Sequence, residues 1–385
     1  MTAAEQYLVL GLRLGRHVDG LVDAYYGPAG LKEQVDGEEP IDAAQLAADA
    51  DTLAGELDDG WLRDQVRACG TYARVLAGEQ LSYVDEVEGC YGVRPHKTSI
   101  DEIEAVHAEL DELLPGEGSL FERREAWKKA HLAEGSLAVA VLEDLVPVLR
   151  EHTAALIGLP EGEGLTLEPV HDEPWWAFNY YLGDLRSRVV MNIDVPTTGI
   201  DLIHLAAHEV YPGHHTEHAV KEQLLIRDRG LIEEGIQLVP TPQAVLSEGI
   251  AEIGRDVVLD EDGLATAYGI LSAHGIEVSD AELGERIDKV IDKLRAVGLN
   301  AAIQIHDEGM PLDEAQAYIE RWSLVTPDQA ARSIRFVTDP TWRAYAITYS
   351  AGRKLCDAYV NGDPRRFRTL LTEHVRIGDL LASTL

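Results

Sequence analysis

The sequence predicts a mainly α-helical protein with one small β-sheet. Over most of the first 158 residues, and again beyond residue 198, apolar residues recur at three-to-four spacing with charged residues on the opposite faces, as in amphipathic helices. The best strand candidate is Ser187–Val195, where S-R-V-V-M-N-I-D-V is short, β-branched and ends before Pro196. An edge strand beside a metal-binding helix can hold an extended peptide through main-chain hydrogen bonds. A small sheet with a purely structural role is the alternative.

Turn sequences rich in glycine and proline separate the first predicted helices, and they lie at 25–28, 37–40, 92–95 and 114–118. The helices predicted before residue 159 cover 3–26, 41–58, 61–78, 99–115 and 119–158. Those predicted after the strand cover 198–211, 214–228, 242–260, 279–305, 312–322, 327–336 and 341–361.

The composition shifts to glycine, proline and acidic residues between Leu159 and Trp175. This shift predicts a boundary between an N-terminal helical lobe, residues 1–158, and a second lobe, residues 159–385, which together form one compact two-lobed unit. A chain of 385 residues can bury a full hydrophobic core without disulfides or other cross-links.

Charge and cysteine usage narrow the possible partners and compartments. The chain has 33 Lys and Arg against 68 Asp and Glu, a formal charge of −35, which repels nucleic acids and anionic membranes. No stretch approaches the roughly 20 apolar residues that a membrane helix needs. The three cysteines, Cys69, Cys90 and Cys356, are too few and too far apart for a disulfide framework. With no signal peptide apparent at the N-terminus, a cytoplasmic protein is expected.

The most informative segment is 201–220, D-L-I-H-L-A-A-H-E-V-Y-P-G-H-H-T-E-H-A-V. It contains two acidic residues, Glu209 and Glu217, and five of the fourteen histidines, namely His204, His208, His214, His215 and His218. Neutral imidazole is the commonest ligand for zinc, and a carboxylate next to a ligand is the usual general base of metal-assisted hydrolysis. The segment therefore predicts a catalytic metal site.

Which two histidines bind the metal depends on Pro212. In the H-E-x-x-H zinc helix the second ligand follows the first by four residues, and here that position is Pro212. On a straight helix His214 would lie ~240° round from His208. Pro212 and Gly213 favour a kink or bulge, which could bring either His214 or His215 to the same metal as His208. The preferred pair is His208 with His214.

Two other pairings stay open. His204 and His208 lie one helical turn apart, so they could bind a metal from one straight face. Alternatively, residues 214–218 form the inverted H-x-x-E-H motif.

The third ligand of a hydrolytic site is expected to be a carboxylate on a following helix, because such sites use three protein ligands and one open position for water. Glu248 and Glu252 lie one turn apart in V-L-S-E-G-I-A-E, among apolar residues. Acidic residues in such surroundings are usually paired or metal-bound. Glu248 is the predicted ligand.

The motif H-E-V-Y-P-G-H-H at 208–215 resembles the H-E-x-x-P-G-H-H signature of the bacterial domain-of-unknown-function family 885, grouped with zincin-type metallopeptidases. The resemblance covers nearly the full chain, in family order, through V-D-A-Y-Y-G-P (22–28), M-N-I-D-V-P-T-T (191–198), E-G-I-A (248–251), I-H-D-E-G-M (305–310), R-F (335–336) and Y-S-A-G (349–352).

The resemblance implies a mostly helical, zincin-like metallopeptidase architecture with a small β-sheet beside the metal-site helix. It also implies zinc as cofactor, His208, His214 and Glu248 as its ligands, and Glu209 as the catalytic base. The chain departs from the family at two positions. Ile250 replaces a frequent tryptophan, and Arg255 replaces a second glutamate, so the resemblance does not predict the inner wall of the pocket or the choice of substrate.

Four further residues receive predicted roles through the resembling blocks. His306 either donates to a substrate carbonyl or is a core histidine. Tyr349 either hydrogen-bonds the oxyanion of a tetrahedral intermediate, which is the preferred role, or is a core tyrosine with one bonded hydroxyl. Arg335 either grips a substrate carboxylate bidentately or neutralises nearby acids. Asn192 is expected to bind substrate from the predicted strand.

These features together predict a zinc-dependent hydrolase that cleaves amide bonds in short peptides or peptide-like small molecules. Two alternatives remain: a non-catalytic metal-binding protein with the same fold, and a metallohydrolase that acts on a non-peptide amide or ester. Nucleic acids and membranes are not expected partners, and oligomeric state has no signature in the sequence.

Overall fold

A computed structural model describes residues 1–133, 135–173, 175–278 and 280–383, and it is mainly helical with small sheets. The helices are α1 (Ala3–Gly15), α2 (Ala29–Asp36), α3 (Ala43–Glu56), α4 (Trp61–Leu76), α5 (Tyr83–Tyr91), α6 (Ile100–Leu113), α7 (Leu120–Ala130), α8 (Gly135–Leu156), α9 (Gly199–Glu209), α10 (His214–Lys221), α11 (Pro242–Val258), α12 (Glu261–Ala273), α13 (Ala281–Asp292), α14 (Ala296–His306), α15 (Leu312–Ser323), α16 (Pro327–Thr338), α17 (Ala346–Val360), α18 (Pro364–Thr372) and α19 (Ile377–Ser383). The strands are β1 (Val22–Tyr25), β2 (Leu132–Ala133), β3 (Gly164–Val170), β4 (Ala177–Gly183), β5 (Arg186–Asn192), β6 (Thr197–Thr198) and β7 (Ile236–Leu238).

Local capping explains where several of these helices begin. At each of five starts a Ser or Thr side chain accepts from the backbone N–H three residues on, and the acid or amide at that position bonds back to the cap. The five capping residues are Thr2, Ser99, Ser119, Thr198 and Thr326. The mainly α prediction is confirmed, and helices predicted at 41–58, 61–78, 99–115 and 242–260 match α3, α4, α6 and α11 within a few residues.

Two long predicted helices are shorter in the structure. The helix predicted over 3–26 ends at Gly15, because Val22–Tyr25 pairs as a strand with the distant β7. The helix predicted over 119–158 is interrupted by β2, which pairs with β6. Both errors have one cause, since pairing with a partner far along the chain overrides a helical pattern. Position 134 of the second helix and Ser279, the predicted start of the 279–305 helix, lie outside the described residues.

The largest sheet has the strand order β3-β5-β4, with β5 parallel to β3 and antiparallel to β4. The predicted strand is therefore present as β5, but it is the central strand and not an edge. The edge that contacts the histidine-bearing helix is β4, which the sequence analysis did not predict. Any main-chain pairing with an extended ligand on this side would have to use β4.

The main hydrophobic core draws residues from both sides of the predicted boundary, such as Leu8 and Leu142 with Ile203 and Val245. Within it, α11 and α17 approach closely through two glycines. A methyl group on Gly249 would lie 2.5 Å from the Gly352 carbonyl oxygen, so no larger residue fits without separating the helices. This contact brings the tyrosines at the start of α17 against the Glu248 side of α11. The division into two lobes stays a prediction.

Among the described residues, none of the helices has the length and apolar character required to cross a membrane.

Candidate metal centre

The predicted helix break lies between α9 and α10. Helix α9 ends at Glu209, and α10 begins at His214 after a turn in which the Gly213 N–H donates to the Ala207 carbonyl at 2.9 Å. A methyl group on Gly213 would overlap the His208 carbonyl oxygen, so the close approach requires glycine here. The Pro212 ring packs on Gly254 of α11. The turn thus returns the chain to the face of α9 that carries His208.

Three side chains meet at this turn. The Nε2 atoms of His208 and His214 lie 3.2 Å apart. Glu248, on α11, places Oε2 at 3.4 Å from His208 Nε2 and Oε1 at 3.9 Å from His214 Nε2. One donor atom from each residue lies within 4.8 Å of the other two, as in a group that could hold a metal ion. The structure therefore brings together the three predicted ligands.

The rival group of His204, His208 and Glu252 also lies within 4.8 Å. However, the Glu252 carboxylate is bound by Arg295 at 2.7 Å and faces Arg353 at 3.5 Å. These guanidinium groups compensate its charge and would repel a second cation. The His208–His214–Glu248 group is therefore the better candidate.

The inverted H-x-x-E-H pairing gains no support from the structure. His218 is not in either cluster of potential ligands among the described residues. Glu217 is buried and bonded to Lys221 at 2.8 Å and to the Ser247 hydroxyl at 2.6 Å. Its carboxylate therefore already has partners within the protein.

The electrostatics of the three side chains fit a cation. Burial lowers the pKa of His208 well below its usual value, with a further contribution from His214, and burial also lowers the pKa of His214. Both imidazoles are thus neutral, as ligands must be. Burial, followed by the nearby Glu252 and Glu209, raises the pKa of Glu248, whose buried Oε2 has no hydrogen-bond partner. A divalent ion would satisfy this carboxylate and the two ring nitrogens together.

Neighbouring side chains orient the three donors. Ser247 gives its proton to Glu217, so its oxygen can accept from His214 Nδ1 at 3.2 Å, which leaves His214 Nε2 free to bind a metal. The Tyr345 hydroxyl donates to Glu248 Oε1 at 2.6 Å. The Nδ1 atom of His208 faces Glu252 Oε1 at 3.6 Å, which favours the tautomer with the proton on Nδ1.

His215, the second histidine of the motif pair, has a different environment. Its Nδ1 pairs with the Ser187 hydroxyl at 2.8 Å and its Nε2 with Glu163 at 2.9 Å, in a fully buried position. Tyr211 and Arg150 also bind Glu163. This network fixes α10 to β5, so His215 is a structural anchor beside the candidate site.

We expect Glu163→Gln to destabilise the protein near neutral pH by roughly 3 kcal/mol. Burial alone would raise the pKa of Glu163, but hydrogen bonds from His215, Tyr211 and Arg150 outweigh it and lower the pKa to about 2. A depressed carboxyl pKa stabilises the fold above the unfolded-state pKa, and this stabilisation is lost as the pH falls toward 2. Thermal unfolding should therefore show a deficit at pH 7 that shrinks between pH ~4.5 and ~2. The exposed Glu161→Gln is the matched control, and an equal deficit in both variants would contradict the role of this network.

Glu209 faces a pocket of about 130 Å³ beside the two histidines. The pocket walls include Asp23 from β1, Asn179 from β4 and Tyr349 from α17. Glu209 is 8% exposed, and burial followed by the nearby Asp23 carboxylate raises its pKa to about 8. The Asn179 side chain donates to the Glu209 carbonyl at 2.6 Å and so fixes the backbone at this point.

A larger pocket of about 590 Å³ shares His208, Glu209, Ala177 and Tyr349 with the smaller one. Its other walls come from the 175–176 segment and from α14, α15 and α16, and they are mostly apolar. Tyr349 is therefore placed where its phenol can reach a ligand in either pocket. Tyr345 donates to Glu248, whereas no acceptor for the Tyr349 hydroxyl is found among the described residues.

Three predicted site residues are not brought to these pockets. His306 bonds to the Val337 carbonyl at 2.7 Å, stacks on Tyr83 and lines a separate pocket, so its predicted contact with a substrate carbonyl is not supported. Arg335 is exposed and lines neither pocket beside the histidines.

Asn192 is buried and donates to the Glu173 and Trp175 carbonyls at 2.8 and 3.2 Å. It supports the tryptophan segment of the larger pocket and is not positioned to bind substrate itself.

The structure adds site residues that the sequence analysis missed. Asp23 lies on a strand predicted as helix, and Asn179 lies on the unpredicted β4. Tyr345 and Ser247 precede Tyr349 and Glu248 by four residues and one residue. The four-residue spacing, which places side chains on one helical face, was the available signal for Tyr345.

Comparison with known proteins identifies the fold but no family. No family model matches the chain, and no curated protein matches it. Among solved structures, the chain is similar to the crystal structure described as that of "the putative lipoprotein from Colwellia psychrerythraea", with a TM-score of 0.56 and 14% sequence identity. The similarity covers 92% of this chain and 68% of the other chain. At this identity the similarity concerns the fold alone.

Proposed function

We propose that the protein is a zinc-dependent hydrolase that cleaves amide bonds in short peptides or peptide-like molecules. Its site would be zincin-like, as the resemblance of the 208–215 motif to domain-of-unknown-function family 885 implies. The observation that carries the proposal is the approach of His208 and His214, Nε2 to Nε2 at 3.2 Å, with the buried Glu248 carboxylate beside them. Two neutral nitrogens and one carboxylate, next to an open pocket, are the donor set of a catalytic zinc site.

When bound, zinc supplies Lewis-acid polarisation of a carbonyl and lowers the pKa of a water molecule. Glu209, beside His208 in the pocket wall, accepts a proton from the attacking water and returns it to the leaving amine. Tyr349 donates a hydrogen bond to the oxygen that becomes negative. The outer edge of β4, which has no partner strand among the described residues, orients an extended substrate across the smaller pocket.

The position of Glu209 favours catalysis over metal storage. A storage site needs ligands only, whereas Glu209 lines the pocket together with the three donor residues, where a carboxylate can accept a proton from water. The three free, buried cysteines support a reducing compartment, and we place the activity in the cytoplasm.

A peptide library tests this function directly. The zinc-loaded protein should cleave short peptides, the chelator-treated protein should not, and added zinc should restore cleavage. Mass spectrometry of the products identifies the bond that is cut. Absence of cleavage by protein that carries one equivalent of zinc would contradict the peptidase function. It would leave two alternatives, a non-catalytic metal-binding protein and a hydrolase of a non-peptide amide or ester.

A further inference from the structure

The larger pocket has the chemistry of a specificity site. Its volume of about 590 Å³ falls within the ~300–1,000 Å³ range of small-molecule sites. Its apolar wall is formed by Trp175, Trp176, Leu205, Leu299, Ile319 and Phe336. Because His208 and Glu209 line both pockets, an apolar group in the larger pocket would belong to a molecule that also reaches the proposed catalytic residues.

Two arginines line this pocket, and only one of them is paired with carboxylates of the protein. Arg295 is paired with Glu252 and with Asp292, each at 2.7 Å, so its charge is compensated within the protein. Arg332 has no carboxylate within 4.0 Å among the described residues, although the chain has a net charge of −35. An unpaired guanidinium in so acidic a protein is a ready partner for an anionic group.

Helix α16 determines which of its arginines faces the pocket. Arg332, Ser333, Phe336 and Val337 line it, as expected for residues three and four apart on one helical face. Arg335 is outside this lining set.

Arg332 also lines a neighbouring surface pocket with Lys128 and Lys129. Two acids, Glu125 and Asp328, line that pocket as well, but neither lysine has a carboxylate within 4.0 Å among the described residues. Arg332 therefore lines both the larger pocket and a surface pocket whose wall carries three cationic and two acidic side chains.

We infer that Arg332 binds a free carboxylate of the substrate, and that the preferred substrates are short peptides with an apolar residue next to that carboxylate. The inference rests on the proposed function and adds the substrate class. The apolar side chain occupies the larger pocket, and the carboxylate reaches the Arg332 guanidinium in the wall of that pocket. The contact acts on binding and position, so Arg332 is a specificity residue and takes no part in the chemical step.

The test compares N-acetylated Ala-Leu-Phe as free acid and as C-terminal amide. Binding is measured by calorimetry in the Glu209→Gln background, where the probe is not consumed, with zinc content checked for each variant. The free acid should bind ~2–5-fold more tightly than the amide, because Arg332 is exposed and solvent screens the charge pair. Arg332→Ala should remove this preference, and Arg332→Lys should restore part of it.

Arg335→Ala is the matched variant, since it removes the same charge from the same helix outside the pocket. It should keep the preference for the acid. Equal binding of acid and amide by the Arg332-containing protein, or loss of preference in Arg335→Ala but not in Arg332→Ala, would overturn the inference. This test measures binding and does not depend on cleavage. If the zinc-loaded parent protein cleaved acid and amide peptides equally well, the proposed hydrolase function would stand, but the role of Arg332 would be contradicted.

Discussion

Glu209→Gln is expected to lower the rate of amide hydrolysis by ~10²–10⁴-fold while zinc stays bound. The glutamine amide has nearly the same size as the carboxylate but cannot accept a proton from the attacking water. Because Glu209 is not one of the three clustered donors, its replacement should leave them in place. The hydrolysis rate is measured in steady state with a peptide taken from the library, and the zinc content is measured on the same preparation.

Glu248→Gln is the informative comparison. It removes the carboxylate that lies 3.4 Å from His208 Nε2. The primary effect should therefore be a lower affinity for zinc and not a loss of proton transfer. The two variants therefore separate a base from a ligand. Full turnover in Glu209→Gln would contradict the proposed base, and zinc loss in that variant would show that Glu209 contributes to the metal site itself.

His214→Ala is expected to weaken zinc binding by more than the ~10–100-fold that loss of an outer hydrogen-bond partner costs, whereas His204→Ala should stay within that range. The reason is the difference between the two clusters that share His208. In one, Glu248 Oε2 has no hydrogen-bond partner, and in the other Glu252 is already bound by Arg295. Competition titration against a chromophoric zinc chelator gives the affinities.

The His214→Ala and His204→Ala variants also show which histidine binds the metal together with His208. Tight zinc binding by His214→Ala together with its loss in His204→Ala would assign the metal to the His204–His208–Glu252 cluster. Melting temperatures of both variants, measured without metal, control for general destabilisation of the buried α9 and α10.

Local chemistry made much of the centre predictable. Pro212 cannot continue a regular helix, and Gly213 tolerates contact with the His208 carbonyl. The helix break and the preference for the His208–His214 pair could therefore be predicted from the seven-residue segment 208–214. Glu248 was identifiable because an acid within an apolar helical pattern requires a partner. These inferences needed little knowledge of the tertiary fold.

The parts that failed depend on distant pairing. Strand β1 brings Asp23 to the site only because it pairs with β7, more than 200 residues later. The strand segment 186–192 was recognisable, but its central position depends on β3 and β4, whose sequences lack a strong alternating pattern. On α16, Arg332 lines the larger pocket and Arg335 does not, because of the helical face that packs toward α14 and α15. The identity of either residue alone does not predict which face that is.

The central claim is that one zinc ion binds between α9, α10 and α11. Anomalous diffraction from a crystal of the zinc-loaded protein, recorded on both sides of the zinc absorption edge, tests it most directly. We predict a single strong peak within coordination distance of His208 Nε2, His214 Nε2 and a Glu248 carboxylate oxygen, ~2.0–2.2 Å from each. A peak between His204 and Glu252, or no peak at either cluster in protein that retains zinc, would contradict the account.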